Sequence, residues 1–246
     1  MDGAQPRFCA PSSRVTPVYM RIGAHVCIAG DYVVILDTAS GKYLGIAIAE
    51  ARGIGPWVVG WPLSDGVTDG ESMPPLVRRL LQQGVMTTDA SAGQAAVPVS
   101  VRMRDVWLGD RRAQTAPALQ LAHVGRFLRA VLVAAVSLRC LSLERILSRA
   151  RRRKRQHRSQ AIDPDQLTQL MTVYGRLRPF LYGTENACML HCMAVLEFLA
   201  PYGIVPDWVI GVRAHPFCAH SWLQVDEQVL TDSPLHVCRM TPILFI

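Results

Sequence analysis

The chain has 246 residues, half of them hydrophobic and 18% charged, which excludes a disordered or low-complexity chain and suffices for one large domain or two small ones. Its formal charge of +7 is uneven: residues 1–89 hold 7 Lys/Arg against 8 Asp/Glu, residues 90–160 hold 15 against 3, and residues 161–246 hold 4 against 8. Phosphate binding needs a basic face, so the acidic N-terminal part argues against a nucleic-acid reader.

In chain order, Ala24–Ala29 and Tyr32–Asp37 are apolar runs rich in Val, Ile and Tyr, separated by the turn pair Gly30-Asp31; they predict a β-hairpin. Lys42–Ile46 follows the turn Thr38-Ala39-Ser40-Gly41 as a third strand. Helical segments come next: Ala47 to about Arg52, a region broken by Gly53, Gly55 and Pro56, then Pro75 to Gln83, where Leu76, Leu80 and Leu81 share a face and Gly84 caps the end. Three strands and about three helices make residues 1–89 an α+β, winged-helix-like module. Residues 90–116, small, polar and Pro-bearing, predict a linker.

Residues 117–246 predict a second module. Leu121, Val124, Leu128, Leu132 and Val136 recur at helical spacing, giving one or two amphipathic helices between Leu119 and Leu147. The most apolar run, Ala130 to Leu138, is nine residues between two arginines. A bilayer span takes about 20, so neither a transmembrane segment nor a membrane partner is expected. The basic run Arg149 to Arg158 lacks interleaved aromatics and reads as a solvated helix end and linker, with a docking patch for an acidic partner as the alternative. Asp163-Pro164 opens another helix. Thr184, Glu185 and Asn186 precede a further one, from Cys188 to Leu199, which Pro201 and Gly203 end. The period then changes to strands: Trp208–Val212, His220–Val225 and Gln228–Thr231, with a turn at Asp226-Glu227. Helices followed by an antiparallel sheet give a papain- or transglutaminase-like α+β order. The seven cysteines are an odd number, and the first twenty residues contain no apolar run of signal-peptide length; reduced thiols and a cytoplasmic location are expected.

Three residues of the C-terminal quarter suit nucleophilic catalysis. Cys188 opens an apolar helix, whose N-terminal field favours a thiolate. His220 begins a strand and can act as base, and Asp232, across a short hairpin, can fix the histidine tautomer. A hairpin centred between Asp226 and Glu227 pairs His220 with Ser233, so strict alternation would put Asp232 on the opposite face unless a bulge or twist intervenes. Cys192, one turn on, lies inside the helix and reads as core, and His191 as a satisfied polar residue. A metal set of Cys188, His191, Cys192, Cys218 and His220 lacks the paired C-x-x-C spacing of structural zinc sites, and neither metal nor cofactor is expected.

The segment from Asn186 to Asp232 resembles the B proteins of lasso-peptide biosynthesis, transglutaminase-like leader peptidases. The shared features are Cys188 opening an apolar helix, Gly203 after it, Gly211-Val212 ending a strand, Pro216-Phe217, Ala219-His220-Ser221-Trp222, and Asp232 closing the next strand. The chain departs from that pattern at Met189, His191 and Ser221, where the family commonly has Leu, Arg and Ala. The resemblance implies a Cys188 nucleophile, a His220 base and an Asp232 orienting acid that hydrolyse the leader–core bond of a precursor peptide, whose core then passes to an ATP-dependent macrolactam cyclase. With no phosphate loop in this chain, any ATP dependence falls to that partner. GDYVVILDTASGKYLGI and the later LVRRLLQQGV are similar to the precursor-recognition domain related to the pyrroloquinoline-quinone chaperone. That resemblance implies that the leader adds as a strand beside Lys42–Ile46 and packs against Pro75–Gln83, with Lys42, Tyr43, Leu44, Ile46, Leu76 and Leu80 as contacts. A transglutaminase-type acyltransferase and a non-catalytic peptide-binding scaffold stand as the alternative functions.

Overall fold

The computed structural model describes residues 16–63, 72–103, 117–157, 162–180 and 187–246. The expected linker residues 104–116, Arg158 of the basic run, and Thr184, Glu185 and Asn186 lie outside the described residues. The chain divides into two compact units, Met1–Val99 and Ser100–Ile246.

In the first unit, β1 (Tyr19–Arg21) precedes the antiparallel sheet of β2 (Ala24–Ala29), β3 (Tyr32–Asp37) and β4 (Lys42–Ala47). Gly30, at φ +55°, closes the first hairpin in the left-handed region that glycine enters without strain. Asp37 accepts from the Ala39 N–H and the Ser40 hydroxyl to shape the second turn, and pairs with Arg21 at 2.6 Å. The chain continues through α1 (Ile48–Ala51), a 3₁₀ turn over Arg52–Ile54, and α2 (Pro75–Gln82), whose Val77 and Leu80 are buried. A second sheet, unmarked in the sequence pattern, joins β1 to β5 (Met86–Thr87) and β6 (Gly93–Gln94).

The first ten residues of the expected linker therefore belong to the first unit. Gly93–Gln94 pairs with β1, and Ala96 is buried in the core of Val26, Val33, Ile35, Trp57, Val77 and Leu80. Two-residue strands are shorter than any periodic signal, so the polar, Pro-bearing composition concealed the pairing. A Cβ on Gly93 would lie 2.4 Å from Tyr19 Cβ, which is the packing reason for glycine there.

In the second unit, α3 (Leu121–Cys140) and α4 (Leu143–His157) resolve the long amphipathic stretch into two helices. By length and composition alone, α3 is long and apolar enough to cross a bilayer, contrary to the expectation drawn from its nine-residue apolar run. Arg129 and Arg139 bound that run but sit on the exposed side of the same helix, so they interrupt the run of residues and not the helix. Phe127, Ala130, Ala134 and Ser137 form its buried face, and α3 packs along α6 (Cys188–Leu199). Between them in sequence, α5 (Pro164–Leu177) is capped by the Asp163 carboxylate, which accepts the Asp165 N–H at 3.0 Å. The Tyr174 ring meets Phe127 and Phe198 at 5.2 and 5.3 Å, tying α5 to both α3 and α6.

The basic run is partly committed to the fold. Arg149 and Arg153, one turn apart on α4, both pair with the buried Glu197 of α6, and Lys154 pairs with Asp207. These cations fasten α4 to α6 and to β7 (Asp207–Arg213).

The sheet of the second unit follows β10–β7–β8–β9 in space, all antiparallel, with β8 (Cys218–Val225), β9 (Gln228–Val229) and β10 (Thr241–Phe245); the short helix α7 (Pro234–Val237) joins β9 to β10. Strand β10 escaped the sequence reading. The register of β8 on β9 pairs Gln224 with Val229 and Val225 with Gln228, after which the ladder stops two residues before the expected end. Gly211 of β7 faces His220 across the ladder, and a Cβ there would come within 2.8–2.9 Å of the Trp222 ring and 3.0 Å of Met240 Cβ. Gly211→Ala is therefore expected to displace the fully buried Trp222 and cost about 1–3 kcal/mol of overpacking, read as a lowered urea midpoint. Gly53→Ala, with nothing within 4 Å of the added Cβ, is the matched control and should be neutral or slightly stabilising.

Candidate active site

Helix α6 is apolar over nearly its whole length, and every residue from His191 to Leu199 is buried. Its first turn is different: Ala187 takes the N-cap position without a side-chain cap, and Cys188 remains only half buried. The first helical hydrogen bond runs from the His191 N–H to the Ala187 carbonyl at 2.8 Å, so the amides of Cys188, Met189 and Leu190 stand ahead of the helical ladder.

The early end of β9 decides what the helix meets. Leu223 still pairs outward: the Leu230 N–H donates to its carbonyl at 2.8 Å, and its own N–H donates to the Thr231 hydroxyl at 2.9 Å. With Thr231 serving through its side chain, the main chain leaves the ladder at that residue. Ser221, two residues from Leu223, directs its backbone groups to the same edge. Its carbonyl accepts from Cys192 Sγ at 3.3 Å, and its N–H bonds to the Cys188 sulfur. The side of β8 that a longer β9 would have covered is thus occupied by the first turns of α6.

Leaving the strand also frees Asp232 from alternation. Its Oδ2 lies 2.5 Å from His220 Nε2, while its Oδ1 accepts the Ser233 N–H at 2.6 Å. With Nε2 taken by the carboxylate, Nδ1 is the nitrogen left to His220 for its hydrogen bond with Cys188. The His220 ring lies nearly parallel to Trp222, centroids 6.4 Å apart. Cys188, His220 and Asp232 therefore form one connected chain.

The electrostatics follow from this chain. Burial alone would push the Cys188 thiol up, but hydrogen bonds from His220 and from the backbone and hydroxyl of Ser221, with the histidine's charge, bring it down to about 7 from an ordinary 9.0. Burial likewise opposes a charged His220, yet its bonds to Asp232 and Cys188 raise it to about 9. Asp232 is held below the usual carboxylate range: burial opposes ionisation, and the His220 bond, the Ser233 N–H and the two histidine charges outweigh it. Between about pH 7 and 9 the pair is a thiolate beside an imidazolium. Below that window the thiol is protonated; above it the histidine is neutral.

Neighbouring groups are in other states. Burial pushes the Cys192 thiol up to about 12, and it stays protonated beneath Ser221. His191 is buried against Tyr174, and burial together with the Arg178 charge lowers it to about 4, so it is neutral near pH 7. Among the described residues, the group with metal-like spacing is His220, Asp232 and His236, whose ligand atoms lie within 4.8 Å of one another; the cysteine-rich set considered from the sequence does not form such a group. Hydrogen bonds from both histidines to Asp232 already account for that clustering.

His236 went unnoticed in the sequence, as did the backbone of Ser221. The signal for His236 was Asp232-Ser-Pro-Leu-His236: Pro at a helix start places the fourth residue on the same side as the aspartate. Of the contacts expected for a peptide in the first unit, Lys42 is exposed, and Tyr43, Leu44 and Leu76 are half buried. Ile46 and Leu80 are corrected to core residues, 3% and 0% exposed, because the inner face of β4 and the apolar face of α2 are turned into the unit's own interior.

Peptide-resolved alkylation by iodoacetamide checks the site. The rate at Cys188 should rise with pH about a midpoint near 7, and His220→Ala should move that midpoint toward or above the ordinary thiol range. Cys192 should stay unlabelled until the chain is denatured.

Comparison with known proteins follows the same residues. Residues 128–244 match the transglutaminase-like superfamily. A stretch of 50 residues is 38% identical to the microcin J25-processing protein McjB of Escherichia coli, covering 20% of this chain and 24% of that protein, so the chain spans about a quarter of the length of that curated relative. No solved structure matches the chain. The matched stretch takes in most of α3, all of α4–α6 and β7–β9, and with them Cys188, His220 and Asp232.

Proposed function

We propose that this protein is a cysteine peptidase of lasso-peptide maturation, which holds the leader of a precursor peptide in its first unit and hydrolyses the leader–core bond with Cys188, His220 and Asp232. The observation that carries this reading is the hydrogen-bonded chain from Cys188 through His220 to Asp232, with a thiol brought to about 7 and a histidine raised to about 9. The transglutaminase-like match and the likeness to a microcin-processing protein support the substrate class.

The chemistry divides among the three residues. The Cys188 thiolate attacks the scissile carbonyl carbon, and the oxygen becomes an oxyanion near the first amides of α6, with the Cys188 N–H as a donor. His220, already protonated, gives its proton to the departing amine as the C–N bond breaks, leaving a thioester on Cys188 and a neutral imidazole. A water then attacks the thioester, giving its proton to His220; collapse expels the Cys188 thiolate, restores the ion pair and releases the leader acid. Asp232 keeps the Nε2–H in place throughout and stabilises the imidazolium without taking the proton.

For capture of the leader, β4 is an edge of its sheet, paired only with β3 among the described strands. An incoming strand can take up its outer backbone groups while Lys42 and Tyr43 meet the peptide's side chains. The core peptide then goes to an ATP-dependent macrolactam cyclase. Six described cysteines are all free thiols, in keeping with a reducing cytoplasmic setting. The superfamily match also favours a second reading, acyl transfer from Cys188 to an amine in place of water.

Mass spectrometry of the precursor after incubation with native protein, Cys188→Ala and Cys192→Ala, each with and without the cyclase, is the test. A free leader fragment is expected from the native protein and Cys192→Ala and not from Cys188→Ala; a mass-additive cross-link would give the acyl-transfer reading, and binding without turnover by the native protein would overturn both. Leader affinity tests the first unit: Tyr43→Ala should weaken binding about fivefold with the melting temperature unchanged. Leu80→Ala should instead lower stability by about 2–5 kcal/mol.

A further inference from the structure

Asp232 has more partners than the catalytic chain requires. Its Oδ1 accepts from Ser233, and its Oδ2 receives two histidines, His220 Nε2 at 2.5 Å and His236 Nδ1 at 3.0 Å. The two imidazoles lie 4.7 Å apart between centroids, tilted by 39°. His236 is four residues beyond Asp232 on α7, whose Pro234 and Val237 are buried. Val237 packs with Val209, Trp222, Val229 and Met240, the cluster that also holds the tryptophan beside His220. One side of the His236 ring is thus set by the fold, while its side chain remains 46% exposed.

A carboxylate turns about its last side-chain torsion unless donors fix both oxygens. Ser233 fixes Oδ1. Were His220 the sole partner of Oδ2, each group would depend on the other for its position, and His220 must move its proton during turnover. His236 supplies a donor anchored independently, through α7. To donate from Nδ1 its ring must carry the proton there, which leaves Nε2 to the solvent side and keeps His236 out of the proton path.

We propose that His236 is a positioning residue of this site: its Nδ1–H locks the Asp232 carboxylate in the orientation that presents Oδ2 to His220 Nε2 and so turns His220 Nδ1 toward Cys188. The inference rests on the reading of Cys188, His220 and Asp232 as the hydrolytic triad. His236 acts through Asp232 and touches neither substrate nor thiol.

The test uses the full-length protein with His236→Ala, His236→Asn and His236→Gln. Asn places an amide N–H near the position of the imidazole Nδ1, whereas Gln carries it about one bond too far. Two readings are taken: the pH profile of iodoacetamide alkylation at Cys188, which needs no precursor, and kcat and KM for precursor cleavage. His236→Ala and His236→Gln should shift the alkylation midpoint upward and lower kcat about tenfold with KM unchanged, and His236→Asn should recover both to within about threefold. An unchanged alkylation profile in the Ala and Gln variants overturns the proposal. So does an equal loss in all three that follows a drop in melting temperature, the signature of a structural role. Should the native protein fail to cleave the precursor, the peptidase reading falls while the alkylation profile still decides the part played by His236.

Discussion

The candidate site depends on a ladder that stops. Strand β8 has β7 on one side from Cys218 to Gln224, but β9 covers the other side only at Gln224 and Val225. At Thr231 the side-chain hydroxyl replaces the main chain as the acceptor for Leu223. Beyond that point the backbone groups of Ser221 would be unpaired in a buried setting, a cost of about 1–3 kcal/mol for each group. Two cysteines of α6, one turn apart, fill the vacancy: Cys192 donates to the Ser221 carbonyl and Cys188 receives its N–H. The contact of α6 with this edge of β8 also brings Cys188 up to Ser221, and Asp232 reaches His220 because its main chain has already departed.

Cys188 and His220 hold each other in unusual states. Burial opposes charge on both Cys188 and His220, so each would be neutral if buried alone. Together, with Asp232 behind the histidine, the charged forms win. Cys192 shows the opposite balance. It lies on the same helix, one turn deeper, and shares Ser221 as a neighbour, but it has no histidine, and burial takes it to about 12. Bonding to His220 and shallower burial together separate a thiolate from an inert thiol over four residues.

Much of this was legible in the sequence where a signal was periodic or carried turn chemistry. The hairpin of β2 and β3, the Asp163 cap of α5 and the span of α6 are set by residues next to one another in the chain. What escaped was non-local or too short to repeat. Strands β1, β5 and β6, of two or three residues, exist through pairing with distant segments, and the composition of residues 90–99 pointed to a linker. Ile46 and Leu80 show a different limit, since an apolar face is equally suited to a groove and to a core, and only the tertiary packing separates them. For Asp232, alternation argued against a meeting with His220; the register was right, and the strand's early end removed the objection. In the basic run of α4 the internal ion pairs of Arg149, Arg153 and Lys154 were hidden, because their partners Glu197 and Asp207 lie more than 40 residues away.

On the proposed function, the two units solve separate parts of one problem. A thiolate–imidazolium pair is reactive toward many carbonyls and carries little information about which peptide bond to cut. On the proposed reading the selectivity comes from elsewhere, from the β4 edge, where main-chain pairing would give affinity along a segment and Lys42 and Tyr43 would read side chains. Holding the leader on the same chain would, on that reading, raise the local concentration of the scissile bond above its bulk value. On that reading the site around Cys188 can bind the core weakly. Product release then needs no strong contact to be broken at the active site, and selection and chemistry need not compete for the same side chains.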